Sequence, residues 1–109
     1  MKTRVYQIIS ELDVNRVKFW GLDTMRKHYG GTIPAELYHC VYDGDLKTQD
    51  LEQIFMILNT SCPPGYNGHS LSMTDVVELE DSNGKCSFFF CDTFGFQPVV
   101  FAKDRIRTV

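Results

Sequence analysis

Apolar and polar positions along the chain change period several times, and each change predicts an element. Thr3-Arg4-Val5-Tyr6-Gln7-Ile8-Ile9 is rich in β-branched and aromatic residues and reads as a strand. Its apolar residues do not alternate strictly, which suits an interior strand covered on both faces. Glu11 to Asn15 is polar and predicts a turn, while Val17-Lys18-Phe19-Trp20 is too short to assign. From Leu22 to Tyr29 the period becomes helical: Leu22, Met25 and Tyr29 share a face, Arg26 and Lys27 face solvent, and Gly30-Gly31 ends the helix. A second strand is expected from Glu36 to Asp43, with Tyr38, Cys40 and Tyr42 on one face and His39 and Val41 on the other. Asp43-Gly44-Asp45 then predicts a turn.

The clearest helix spans Gln49 to Asn59. Thr48 is placed to cap it, and Asp50 and Glu52 suit the positive end of its dipole. Leu51, Ile54, Phe55 and Leu58 form one apolar stripe, and Met56 and Ile57 widen it, so burial around much of the helix is expected. Pro63-Pro64-Gly65 and Asn67-Gly68 break regular structure from Asn59 to Gly68. Asp75 to Glu80 alternates, with Val77 and Leu79 opposite Val76, Glu78 and Glu80. Asp81-Ser82-Asn83-Gly84 reads as a hairpin turn, and Lys85 to Asp92 returns with Phe88-Phe89-Phe90. A strand with phenylalanines on both faces belongs inside a sheet, with the 49–59 helix over one side. Gly95 and Pro98 bend the following segment or confine it to an edge, and Lys103 to Arg107 reads as a solvated end. These elements predict one α+β domain over 1–109: a small antiparallel-rich sheet of about four or five strands, two helices and a C-terminal hairpin at 75–92.

Composition narrows the class. A chain of 109 residues with 43% hydrophobic and 13% aromatic residues can bury a core of its own. The formal charge is −3 and neither half of the chain is basic, which argues against a nucleic-acid partner. No apolar run suits membrane insertion and no signal-like stretch opens the sequence, so a cytoplasmic location is expected. Cys40, Cys62, Cys86 and Cys91 then read as reduced thiols, small apolar residues of the interior. Cys86 and Cys91 would point to opposite faces of one strand, and no ligand pairs have zinc-site spacing, so no metal and no cofactor are expected.

Candidate chemistry is sparse. Cys91, His69 and Asp75 or Asp92 supply a thiol, a base and an orienting acid, but no oxyanion-hole glycines or helix N-terminus accompany the thiol. Glu78 and Glu80 share what reads as the outer face of a hairpin strand, where carboxylates keep an edge soluble. Gly65 to Gly68 lacks the grammar of a phosphate loop. No catalytic residue is assigned. The hydroxyl-rich approach Gly68-His69-Ser70-Leu71-Ser72-Met73-Thr74-Asp75 is different, since its side chains can hold a loop in place or offer a binding surface.

That stretch, continued by Val76-Val77, and Cys91-Asp92-Thr93-Phe94-Gly95-Phe96 together resemble the signature of the YodL-like domain family, G-H-S-L-S-x-S-D-V-V followed by an aromatic strand and D-S-F-G-F. Phe19-Trp20-Gly21-Leu22-Asp23, the Tyr38 to Gly44 segment and Leu51-Glu52-Gln53-Ile54-Phe55 are similar in style. Thr74 and Thr93 stand where serine is commoner, and Phe88-Phe89-Phe90 where tyrosines are frequent. The resemblance implies a domain of Firmicutes, often carried on mobile elements, with no activity or cofactor attached to the family. It implies an accessory, non-enzymatic role: interaction with a protein of the host or of the element. The residues expected to bind are His69, Ser70, Ser72, Asp75, Asp92, Phe94 and Phe96. The alternative is a nucleic-acid-associated regulator, mimicking DNA with its acids or touching it through Arg105 and Arg107.

Overall fold

The computed structural model describes residues 2–12, 20–92 and 95–107. Five strands form one antiparallel sheet: β1 (Lys2–Ile8), β2 (Tyr38–Asp45), β3 (Val76–Glu80), β4 (Cys86–Asp92) and β5 (Gly95–Val99). Their order across the sheet is β2-β1-β3-β4-β5, so β2 and β5 are its edges. Among the described residues two α-helices pack on the sheet, α1 (Leu22–His28) and α2 (Leu51–Thr60).

Strand alternation divides the apolar side chains between two cores. Tyr6 and Ile8 of β1, Val76 of β3 and Phe90 of β4 join Leu22 and Met25 of α1 on one face, together with Tyr38 and Phe101. Val5, Val77 and Leu79 face the other way and join Ile54 and Leu58 of α2, with Tyr42 and Leu71. Each helix thus covers one face, and the strands between them must be apolar on both sides. This accounts for the imperfect alternation of β1 and for Phe89 pointing away from Phe88 and Phe90. Phe101 anchors the first core, with its ring 5.0 Å from Tyr6, 5.2 Å from Tyr38 and 5.7 Å from Phe88. Fully burying a side chain of this size contributes about 1.5–3 kcal/mol.

Local chemistry sets the ends of the elements. Gly30 and Gly31 have φ of +68° and +90°, and the Gly31 N–H reaches back to the Arg26 carbonyl, closing α1 as expected. The β3–β4 turn is held by Asp81, whose Oδ1 accepts from the N–H groups of Asn83 and Lys85; within it only Gly84 needs a positive φ. Pro98 lies in the edge strand β5, where its missing N–H is tolerated.

Several expectations need correction. A register shift in the β1–β2 ladder pairs Val5 with Tyr42 but Tyr6 with Cys40, leaving Val41 as an extra residue. Tyr42 therefore joins Val41 in the second core instead of sharing a face with Tyr38, and Cys40 is exposed. Asp43-Gly44-Asp45 is strand, not turn: Asp43 forms ion pairs with Lys2 (2.8 Å) and Arg4 (3.4 Å) on β1, which carry the ladder to its end. The cap of α2 is Asp50, which accepts from the N–H groups of Glu52 and Gln53, while Thr48 accepts from the Asp50 N–H. Only Ile54 and Leu58 of that helix are buried; Met56 is 63% exposed, because a single sheet face covers one stripe. Cys62 is also exposed and Cys86 half-buried, so among the thiols only Cys91 is interior. The stretch 103–107 is docked, not free: the Arg107 N–H donates to the Tyr38 carbonyl, and Ile106 packs against the first core. Of the predicted 11–15 turn, Glu11 and Leu12 fall in a short 3₁₀ turn (Ser10–Leu12); 13–15, like 17–19, lie outside the described residues.

Candidate functional site

The segment between α2 and β3 lies outside the ladders, and a side chain on a central strand supplies several of the bonds that hold it. Gln7, buried within β1, donates through Nε2 to the His69 carbonyl (2.9 Å), Asp75 Oδ2 (3.0 Å) and the Tyr66 hydroxyl (3.1 Å). Its Oε1 accepts from the His69 N–H. Gly68 is required here, because a Cβ would collide with Gln7 Oε1 and the Val41 side chain. Asn59, near the end of α2, grips Leu71 at both backbone groups, accepting from its N–H at 2.6 Å and donating to its carbonyl at 3.4 Å. Asp75 Oδ2 also accepts from the Ser72 N–H at 2.8 Å. Thr74 adopts a φ of +75° to turn the chain into β3, and its N–H bonds the Cys91 carbonyl.

Held in this way, residues 71–73 form one wall of a cleft of about 410 Å³. Glu52 and Phe55 of α2 form a second wall, and Cys91, Asp92, Gly95 and Phe96 complete it. Phe55 and Phe96 meet edge to face with centroids 6.4 Å apart, and Phe55 remains 37% exposed. Leu71, Met73, Phe55, Phe96 and the Cys91 thiol make the lining mainly apolar, and its charged side chains are two carboxylates, Glu52 and Asp92.

Of the residues expected to bind, Ser72, Asp92 and Phe96 line the cleft. His69 and Ser70 are exposed outside that lining, with His69 Nδ1 2.8 Å from the Ser70 carbonyl oxygen. Asp75 is buried behind the wall, and Phe94 lies outside the described residues. Asp92 has a structural contact as well: its Oδ1 accepts from the Leu22 N–H at 3.1 Å, serving the first turn of α1, which has no side-chain cap of its own. The sequence reading missed Glu52, Phe55, Leu71 and Met73 as wall residues, and Gln7 as the residue that pins the loop. A glutamine in the middle of an apolar strand was the available signal for Gln7. Phe55 beside Met56, at the margin of the α2 stripe, was the signal for an exposed aromatic.

Electrostatics separate the acids. Burial pushes Asp75 up to about 8, against the bonds from Ser72 and Gln7, so its carboxyl holds its proton at neutral pH. Burial, reinforced by Asp75, Asp92 and Glu52, pushes the Cys91 thiol up to about 12, far from the thiolate a nucleophile requires. Cys91, His69 and the acids do not form a relay: Asp75 serves Gln7 and Ser72, Asp92 serves Leu22, and His69 is turned to Ser70.

A second acidic group sits on the opposite face of the sheet. Glu78, expected on a solvated edge, is completely buried because β3 lies between β1 and β4. It accepts from the Tyr6 hydroxyl (2.6 Å), Arg4 Nη1 (3.0 Å) and Lys103 Nζ (2.8 Å). Burial works to raise its carboxyl, but donors from Cys86, Lys103 and Tyr6 outweigh that and hold it below the usual range. Glu78, Glu80 and Cys86 bring possible ligand atoms within 4.8 Å of one another, yet Arg4 and Lys103 already supply the positive charge there. Arg107, one of two arginines considered for nucleic-acid contact, donates through Nε to the Glu36 carbonyl.

Among the described residues no helix is long and apolar enough to cross a membrane. Comparison with known families matches residues 2–101 to the YodL-like domain. No curated protein and no solved structure matches the chain.

Proposed function

Taking as premise that the chain belongs to the YodL-like domain family, we propose that it is a non-enzymatic protein-interaction module whose docking site is the cleft between α2, residues 71–73 and the start of β5. The observation that carries this reading is that both signature segments build the cleft: Leu71, Ser72 and Met73 come from one, and Cys91, Asp92, Gly95 and Phe96 from the other. A mainly apolar concavity at a sheet edge, with an aromatic left partly exposed, is the kind of surface that partners cover. A thiol raised to about 12 and an imidazole turned elsewhere support binding over catalysis. In the cell such a module would act as an accessory factor, modulating a protein of the host or of a mobile element in the cytoplasm.

Ser72→Trp tests this reading. Ser72 is exposed and its structural bonds run through its backbone, so a large side chain fills the cleft without removing them. Affinity purification from the source cell is expected to recover specific partners with the wild-type chain and to lose them with S72W at an unchanged melting temperature. Retention of every partner by a folded S72W chain overturns the proposal.

A further inference from the structure

We infer that the segment docking in the cleft is a short, extended peptide of a partner protein carrying an aromatic or long aliphatic anchor beside a lysine or arginine. The inference rests on the cleft being a docking site and adds the chemistry of what enters it. Charge complementarity is the first argument. Glu52 stands on the wall with no ion pair among the described residues, Asp92 adds a second carboxylate, and no lysine, arginine or histidine among the described residues lines the cleft. An acidic segment would be repelled by Glu52, and a neutral one would leave Glu52 partly desolvated without a partner.

Shape is the second argument. The apolar lining of Leu71, Met73, Phe55 and Phe96 suits an anchoring side chain, and a volume of about 410 Å³ accommodates side chains with a short stretch of backbone. The cleft lies against β5, an edge strand, and at Gly95 a Cβ would find nothing within 4 Å, so a chain can approach the backbone closely there.

A random linear-peptide display library provides the probe, selected on the wild-type chain with soluble S72W as competitor. Enriched sequences are expected to place Lys or Arg within a few positions of an aromatic or aliphatic residue. For the strongest synthetic peptide, fluorescence anisotropy is expected to show affinity falling about three- to tenfold on Glu52→Gln and again with added salt. A version of that peptide with its basic residue replaced by alanine is expected to bind both chains equally. Enrichment of neutral or acidic peptides, or indifference of the basic peptide to E52Q, overturns the partner chemistry while leaving the cleft as a docking site. Absence of any enrichment over S72W overturns the extended-peptide mode. The docking reading itself falls only if folded S72W keeps its cellular partners.

Discussion

Gln7 and Asp75 show how two buried polar side chains organise the loop. Gln7→Leu preserves volume in β1 but strands the groups that its amide satisfied. A loss of about 2–4 kcal/mol is expected from urea denaturation, with faster hydrogen exchange at the His69 amide. If His69 exchange does not change, Gln7 is not what holds the loop. Asp75 makes a separate prediction about pH. Its carboxyl is raised from 3.8 to about 8 in the folded chain, so between those values the unfolded state releases a proton that the folded state keeps. Its contribution is therefore full below about pH 4 and falls as pH rises towards 8. Asp75→Asn can keep an acceptor toward Gln7 and Ser72 and has no proton to lose. Wild-type stability relative to D75N should decline by a few kcal/mol across that window, measured as denaturation midpoints at successive pH values. Parallel curves would mean that Asp75 is ionised in the fold. Residue chemistry of this kind was only partly legible beforehand: the pinning of 68–75 could be expected from its hydroxyls and carboxylate, but the partner on β1 lies more than sixty residues away.

At the scale of elements, α2 both covers the second core and supplies a wall of the cleft. Its first turn depends on Asp50, which accepts two backbone N–H groups. Asp50→Ala should cost about 1 kcal/mol of stability, and Thr48→Ala less, since Thr48 satisfies no N–H within the helix: its hydroxyl accepts from the Asp50 N–H and donates to Gln53 Oε1. An equal loss in both variants would restore Thr48 as the dominant cap. Helix periodicity located α2, but it could not tell which residue of Thr48-Gln49-Asp50 would cap it, because all three lie within a turn of one another. Nor could it tell how much of the helix would be covered. Burial of Ile54 and Leu58 beside exposure of Met56 follows from packing on one sheet face. The β1–β2 register shift is of the same kind: alternation along β2 alone gives no reason to interrupt itself at Val41.

Over the whole molecule, the match to the family stops at residue 101, yet residues 103–107 are part of the fold. Lys103 Nζ lies 2.8 Å from the buried Glu78 carboxylate, and Arg107 bonds the backbone of Tyr38 on the β2 edge. A chain ending at Ala102 should lose about 1–3 kcal/mol at neutral pH, with Lys103 half-exposed and Arg4 still facing Glu78. The Glu78 carboxyl is held below 4.5, so its contribution is full at neutral pH and is lost as pH falls through the acid range. The truncated chain should accordingly show a smaller loss on acidification than the full chain, in thermal melts from pH 7 to pH 3. Identical acid profiles would show that Lys103 contributes nothing to Glu78. By itself the sequence determined the α+β class, both helices and four of the five strands, the interior position of β1 and β4, and the family, because these depend on periodicity, turn chemistry and local motifs. Tertiary structure alone decided that Glu78 is interior, that 103–107 is docked, and that α2 and the two signature segments enclose a cleft. Those outcomes depend on strand order, and strand order is settled by contacts between residues far apart in the chain.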